Sequence, residues 1–219
     1  MILDSEDAAK GWLGTLPEWD AAAAQRIDTL IALLREENGR QNLVAAASLD
    51  SVWQRHIVDS AQLLAFVPRE TSSPWLDLGT GAGFPGLAVA ALRPDLEVHL
   101  VESRTRRVEW LERAARALGL ANVTVHGSRL ELVETFPVRV ISARAFAPLP
   151  KLLDLSARFS TEDTVWLLPK GRSAAHELAE LTGWRHMFHV EQSRTDPDAG
   201  VIVGTLIGPE KRGKKGKRP

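Results

Sequence analysis

The 219-residue chain contains no cysteine. That excludes disulfides, thiolate metal sites and any mechanism with a thiol nucleophile, and it suits a reducing compartment. Long apolar runs are also missing: none approaches the ~20 residues that span a bilayer. The opening "MILDSEDAAK" carries acids early and lacks the apolar stretch of a secretory leader. The expectation is a cytoplasmic protein without a membrane anchor. There is no internal repeat, and low complexity is confined to the last residues. That end, "KRGKKGKRP", holds six cations and no acid. The whole chain has a net charge of −1, so residues 1–210 carry −7. An acidic body with a basic end suggests a polyanion met by the tail, residues 209–219. The rest is ordinary for a globular chain, 44% hydrophobic and 25% charged, and the length suits one domain with an appendage.

The appendage is helical. Trp19, Ala23, Ile27, Leu30 and Leu34 recur at steps of three and four, which predicts a helix over 18–37 ended by Gly39. Val52, Ile57, Ala61 and Leu64 form a second stripe, predicting a helix over 48–66 with Ser48 as its cap. The polar, proline-bounded "PRETSSP" closes a region of residues 1–70. The pattern then changes over 71–208. Strands "WLDLG", "EVHLVES", "VTVHG", "VRVISA" and "TVWLLPK" alternate with helices at 85–92, 104–118, 148–158 and 173–181. Two final strands, "WRHMFHVEQ" and "VIVGTLIG", are joined by "SRTDPDAG" with no helix between them. Alternating elements with continuous apolar strands imply an α/β fold, a mostly parallel sheet covered on both faces. The last two strands should form an antiparallel hairpin at its end.

The stretch "DLGTGAGFPG", residues 77–86, follows the first strand and opens a helix. Ligands of open α/β sheets bind beyond the carboxyl ends of the strands. Glycines there allow a sharp turn and close backbone approach. Gly81, Gly83 and Gly86 fit the dinucleotide fingerprint, so a nicotinamide-dependent oxidoreductase is one reading. A nucleoside site without phosphates is another. Both need an acid after the second strand for ribose hydroxyls, and Glu102 fits, though an acid also suits the start of the next helix. The terminal hairpin and the lack of a large substrate domain favour the nucleoside reading.

"NLVAAASLDSVWQRHIVDS", "DLGTGAGFPGLAVA", "VESRTRRVEWL", "HGSRLE", "ISARAFAPL" and "LLPKGR" follow in this order. Over residues 25–207 the chain resembles the bacterial small-subunit rRNA guanine-N7 methyltransferases, known as RsmG or GidB. The resemblance implies a class I S-adenosylmethionine-dependent methyltransferase fold, Rossmann-like, with a seven-stranded sheet and an N-terminal helical extension. It implies methylation of guanine N7 in a decoding-region loop of 16S rRNA, with the rRNA or the small ribosomal subunit as partner. Cofactor contacts then fall on Gly79, Thr80, Gly81, Gly83 and Phe84, on Glu102, on Leu130 and Glu131 after the third strand, and on Arg144 after the fourth. An RNA-binding module with a vestigial cofactor site stays open as a third reading.

Guanine N7 is a free lone-pair acceptor, so its methylation needs placement and no general base. No acid, base or metal ligand is therefore expected. Arg144 stays protonated and suits a carboxylate or phosphate. Arg129, Lys170, Arg172, Lys214 and Lys215 are the RNA-binding candidates; solubility is the bland alternative. The arginine-rich helix 104–118 reads as a solvated face. His56 and Asp59 share a helix face and suit a local hydrogen bond. His186 and His189 point to opposite sides of a strand and suit no metal pair. Trp75, Trp110 and Trp166 read as core, and the chain as a monomer.

Overall fold

The computed structural model describes residues 2–71 and 74–210. Its first helix, α1 (Glu6–Leu13), was not legible as a stripe. It is set by the Ser5 hydroxyl, which accepts the Ala8 amide at 3.1 Å, with Glu6 and Asp7 in the first turn. Helix α2 (Ala21–Asn38) starts where Asp20 accepts the Ala23 amide at 2.7 Å and buries Ala23, Ile27, Leu30 and Leu34.

The single helix expected over 48–66 is broken. A 3₁₀ turn (Ala46–Leu49) is followed by a π-helical segment (Trp53–Val58), one α turn, α3 (Asp59–Ala61), and a second 3₁₀ turn (Gln62–Phe66). Ser48 caps nothing: its hydroxyl donates to Ala45 O at 2.7 Å and lies 2.8 Å from His56 Nε2. The π segment is held from outside. Glu6 of α1 accepts the amides of Trp53 and Gln54 at 3.1 and 2.9 Å, so a tertiary carboxylate satisfies the donors that a local cap would take.

The sheet contains β1 (Trp75–Leu78), β2 (Val98–Val101), β3 (Val123–His126), β4 (Val138–Ala143), β5 (Ser160–Gly171), β6 (Trp184–His186), β7 (His189–Gln192) and β8 (Gly200–Pro209). Its order is β3-β2-β1-β4-β5-β8-β6, with β7 also beside β8. Pairing is parallel from β3 through β5 and antiparallel wherever β8 takes part. The predicted α/β fold and terminal hairpin are present. The expected sixth strand is split into β6 and β7, both lying against β8, so eight strands occupy seven positions. The break faces Gly204, where a side chain would collide with the Met187 backbone.

Helices α4 (Gly86–Leu92), α5 (Thr105–Ala117), α6 (Leu149–Ser156) and α7 (Ala174–Ala179) cover the sheet. Trp75, Val98, Leu100 and Val140 face one core, shared by α4, α5 and both N-terminal helices. Leu76, Leu78, Ile141 and Trp166 face the other, closed by α6. The appendage thus completes a core of the sheet. Arg26 of α2 donates to Ala91 O of α4 at 2.7 Å. The arginines of α5 lie on an exposed face, as expected, and three of them also reach the N-terminal region. Arg106 and Arg107 donate to Arg40 O and Asn42 O at 3.2 and 3.4 Å, and Arg113 meets the buried Glu37 at 2.8 Å. They clasp the chain that leaves α2.

Candidate active site

The glycine loop is anchored by Asp77, an acid inside an apolar strand. The Trp75 indole donates to Ser142 Oγ (2.8 Å), whose hydroxyl donates to Asp77 Oδ1 (2.7 Å); Oδ2 accepts the Gly86 amide at 3.0 Å. Burial pushes the Asp77 carboxyl up to about 6, against the pull of those hydrogen bonds. Gly79 has φ +61°, and a Cβ there would run into the Phe146 ring. Thr80, Gly81, Gly83 and Phe84 are buried in the bend and line neither of the two cavities described below. Much of the glycine content therefore serves packing of the loop on the protein. At Gly81 a Cβ would lie 2.9 Å from Arg107 Nη1, and at Gly86 2.9 Å from Asp77 Oδ2.

The first cavity, of about 410 Å³, collects Gly79 from the end of β1, Glu102 from β2, Leu130 and Glu131 from the turn after β3, and Phe146 from the loop after β4. Glu102 is buried. Its Oε1 accepts the amides of Ser103 and Arg104 at 2.8 and 2.9 Å and the Arg104 side chain at 3.2 Å. Burial would raise its carboxyl, but these bonds outweigh it and hold the group below the usual range. Oε2 has only a 3.4 Å contact with Arg104, which leaves spare acceptor capacity on a residue that lines the cavity. Leu130 offers a nearly buried apolar edge; Glu131 is exposed. Arg129 also borders this cavity.

The second cavity, of about 430 Å³, is lined by Ser48, Arg55, His56, Asp59, Arg144 and Asp196. Arg144, expected beside the cofactor candidates, lies here and not in the first cavity. Its guanidinium sits 5.4 Å from the Phe84 ring, whose other partner is His56, stacked at 5.1 Å. Arg144 Nη1 has three long contacts, at 3.4 Å to Arg55 O and 3.5 Å to His56 Nδ1 and Asp59 Oδ2. His56 and Asp59 do not bond to each other, although they share a segment. Burial and the charges of Arg144 and Arg55 bring the His56 imidazole down to about 3, so it is neutral at physiological pH. Asp59 Oδ1 accepts Thr195 Oγ1 at 2.9 Å and Gln62 Nε2 at 3.0 Å.

Residues 144–147 stand between the cavities. Ala145, Phe146 and Ala147 line the first cavity and also an open groove, which shares Arg144 with the second. Ala145 is held at φ +53°. Lys170 braces this loop: its ammonium lies 2.9 Å from Ala147 O and 2.9 Å from Glu177, largely out of solvent. Arg172 is exposed and pairs with Asp198 at 2.9 Å. Lys214 and Lys215, with the tail from 211 on, lie outside the described residues. Sequence reasoning missed Asp77, Phe146 and Asp196. An acid in an apolar strand was a readable signal for Asp77; Asp196 sits in a turn-rich segment that carries none.

Comparison with known proteins decides the family. The family described as rRNA small subunit methyltransferase G (GidB) matches residues 23–196. The chain belongs to this family. Two proteins named ribosomal RNA small subunit methyltransferase G are close relatives. That of Novosphingobium aromaticivorans is 60% identical over 94% of this chain and 91% of its own length. That of Erythrobacter litoralis is 62% identical over 93% and 97%. Solved structures share the fold at low identity. An Aquifex aeolicus SAM-dependent methyltransferase has a TM-score of 0.56 at 17% identity, covering 72% of this chain and 93% of that one. Aeropyrum pernix fibrillarin with natively bound S-adenosyl-L-methionine gives 0.52 at 16%, covering 69% and 75%. The rRNA methyltransferase fold is thus that of the S-adenosylmethionine-dependent enzymes. No helix among the described residues is long and apolar enough to cross a membrane.

Proposed function

We infer that the protein transfers a methyl group from S-adenosylmethionine to N7 of a guanine in 16S rRNA. Family membership over 23–196 carries this reading. The first cavity supports the choice of cofactor. Its donor set suits a nucleoside: a carboxylate oxygen with spare capacity at Glu102, an apolar edge at Leu130, and backbone without a Cβ at Gly79. The bend beyond Gly79 is filled by protein, with Arg107 beside Gly81 and Leu87 beside Gly83, where a pyrophosphate would need room.

When bound, S-adenosylmethionine supplies an activated methyl on sulfur. Gly79 would give it backbone, Glu102 would take ribose hydroxyls, Leu130 would cover the adenine and Glu131 would meet its amino group. Guanine N7 already offers a lone pair, so its methylation would ask no residue of this chain to take a proton. The protein's task is in-line placement and exclusion of water, which supplies up to about 7–11 kcal/mol as effective molarity. Thr80, Gly81, Gly83 and Phe84 act through the shape of the loop. Lys170 holds the 144–147 partition; exposed Arg129 and Arg172 and the basic tail, with Lys214 and Lys215, meet RNA phosphates. The protein works as a monomer in the cytoplasm, on rRNA or the assembled small subunit.

Radiolabelled transfer to 16S rRNA or small subunits lacking the mark, followed by nucleoside analysis, tests the reading. The expected product is 7-methylguanosine. Calorimetry should show binding of S-adenosylhomocysteine and none of NAD(P)H; the reverse would make the chain an oxidoreductase. Binding of RNA with no methyl transferred would make it an RNA-binding module.

A further inference from the structure

We propose that Glu177 is a positioning residue for methyl transfer: together with Lys170 it fixes the wall that residues 145–147 give to the first cavity. This rests on the methyltransferase reading above. Neither Glu177 nor Lys170 lines that cavity; both border the open groove that shares the wall.

The grip is on two backbone groups. The Lys170 ammonium donates to Ala147 O at 2.9 Å. Glu177 Oε2 accepts that ammonium at 2.9 Å and the Leu149 amide at 3.1 Å. Pro148 and Pro150 carry no amide hydrogen, so Leu149 supplies the donor at the start of α6. One ion pair therefore pins the carbonyl before Pro148 and the amide after it. The pair is itself aimed, because the Ser173 hydroxyl donates to Glu177 Oε1 at 2.7 Å. Only 8% of the Lys170 side chain is exposed, so the ammonium depends on its counter-charge. Burial would raise the Glu177 carboxyl, but the bonds from Ser173 and Lys170 outweigh it and hold the group below the usual range.

The wall needs such a grip. Ala145 sits at φ +53°, which a residue with a side chain keeps only where its surroundings impose it. Beside it, the Phe146 ring packs where a Cβ on Gly79 would stand. Strand β4 holds the loop at its start; the ion pair holds it at its end. In a reaction that asks only for placement, a displacement of about 1 Å costs about 100-fold. A brace on the wall thus acts on the rate although it lies outside the cofactor cavity.

The test is methyl transfer to small subunits lacking the mark, by wild type, Glu177→Gln, Lys170→Met and the double variant. Each variant is expected to lose about 10- to 100-fold in kcat, the double variant no more than either single one, because the two residues act as a unit. KM for the subunit should stay near wild type. Thermal midpoints separate positioning from support of the fold. Glu177→Gln leaves a buried ammonium uncompensated and should melt lower. The double variant removes both charges and should melt near wild type while its kcat stays low. A kcat that recovers with the melting temperature in the double variant would overturn the proposal, as would wild-type kcat in Glu177→Gln. A raised KM with kcat unchanged would also overturn it, making Lys170 a contact to RNA phosphate. If Glu177→Gln does not fold, the double variant carries the comparison. Failure of wild type to methylate guanosine at all would end the methyltransferase reading and this one with it.

Discussion

The two cavities on either side of residues 144–147 are similar in volume and differ in construction. The first draws Gly79, Glu102 and Leu130 from the carboxyl ends of three adjacent parallel strands. Topology alone brings those positions together. The second draws Ser48 and Asp59 from the N-terminal region, Arg144 from the loop after β4 and Asp196 from the turn before β8. Its polar groups are aimed by contacts between segments more than a hundred residues apart, such as Asp59 with Thr195. One site is a property of the sheet; the other is a property of what has been packed around it.

Breaking the first cavity should give the largest effects. Gly79→Ala forces a side chain into the left-handed region and against Phe146. Such strain costs about 1–3 kcal/mol, so S-adenosylhomocysteine affinity is expected to fall by about ten- to a hundredfold or more in calorimetry. An unchanged affinity would remove Gly79 from the site. Glu102→Gln keeps the shape and removes the charge. Cofactor affinity should fall roughly 10- to 100-fold, with kcat at saturation little changed.

The two regions also titrate in opposite senses. Asp77, under the glycine loop, has a folded pKa of about 6, above its unfolded value of 3.8. The folded state therefore binds more protons between those values, and Asp77 makes stability fall as pH rises from about 4 to 6. His56, at the second cavity, has a folded value of about 3 against 6.5 unfolded. The unfolded state binds the extra proton there, so stability rises with pH up to about 6.5. In wild type the two slopes oppose each other. Asp77→Asn should expose the His56 slope, a steeper rise in stability between pH 4 and 6.5 on the order of 1–2 kcal/mol by denaturant midpoints. His56→Asn should leave the falling slope instead. Parallel pH profiles for both variants would contradict the assignment.

The smallest effect concerns neither cavity. Deleting residues 211–219 should leave cofactor binding intact and flatten the salt dependence of RNA binding. The log–log slope should drop by up to about one unit for each phosphate that the tail no longer neutralises. An unchanged slope would free the tail of any RNA role.

The same contrast explains what the sequence disclosed. Alternating elements announced the sheet, its hairpin and the loop at 77–86, because strand order and the carboxyl-end rule are local patterns repeated along the chain. Glu102 followed from its place after β2, whereas Leu130 and Glu131 came only with the family resemblance. The broken helix over 48–66 did not follow. Its apolar stripe is that of a continuous helix, and the carboxylate of Glu6, 47 residues away from Trp53, supports a different turn. Arg144 was legible as a residue after β4 and illegible in its facing, since the direction is set by Phe84 and Asp59. The clasp of α5 on the chain after α2 was hidden likewise: nothing in a row of exposed arginines tells that Arg113 meets the buried Glu37.

Helices α1 and α2 fill the same core as α4, α5 and one face of the sheet. The appendage therefore has no separate existence to lose. Removing the first 70 residues should yield an insoluble remnant rather than a minimal enzyme, and heating the intact chain should give one melting step. Whatever grips the substrate from the amino-terminal side comes and goes with the scaffold itself.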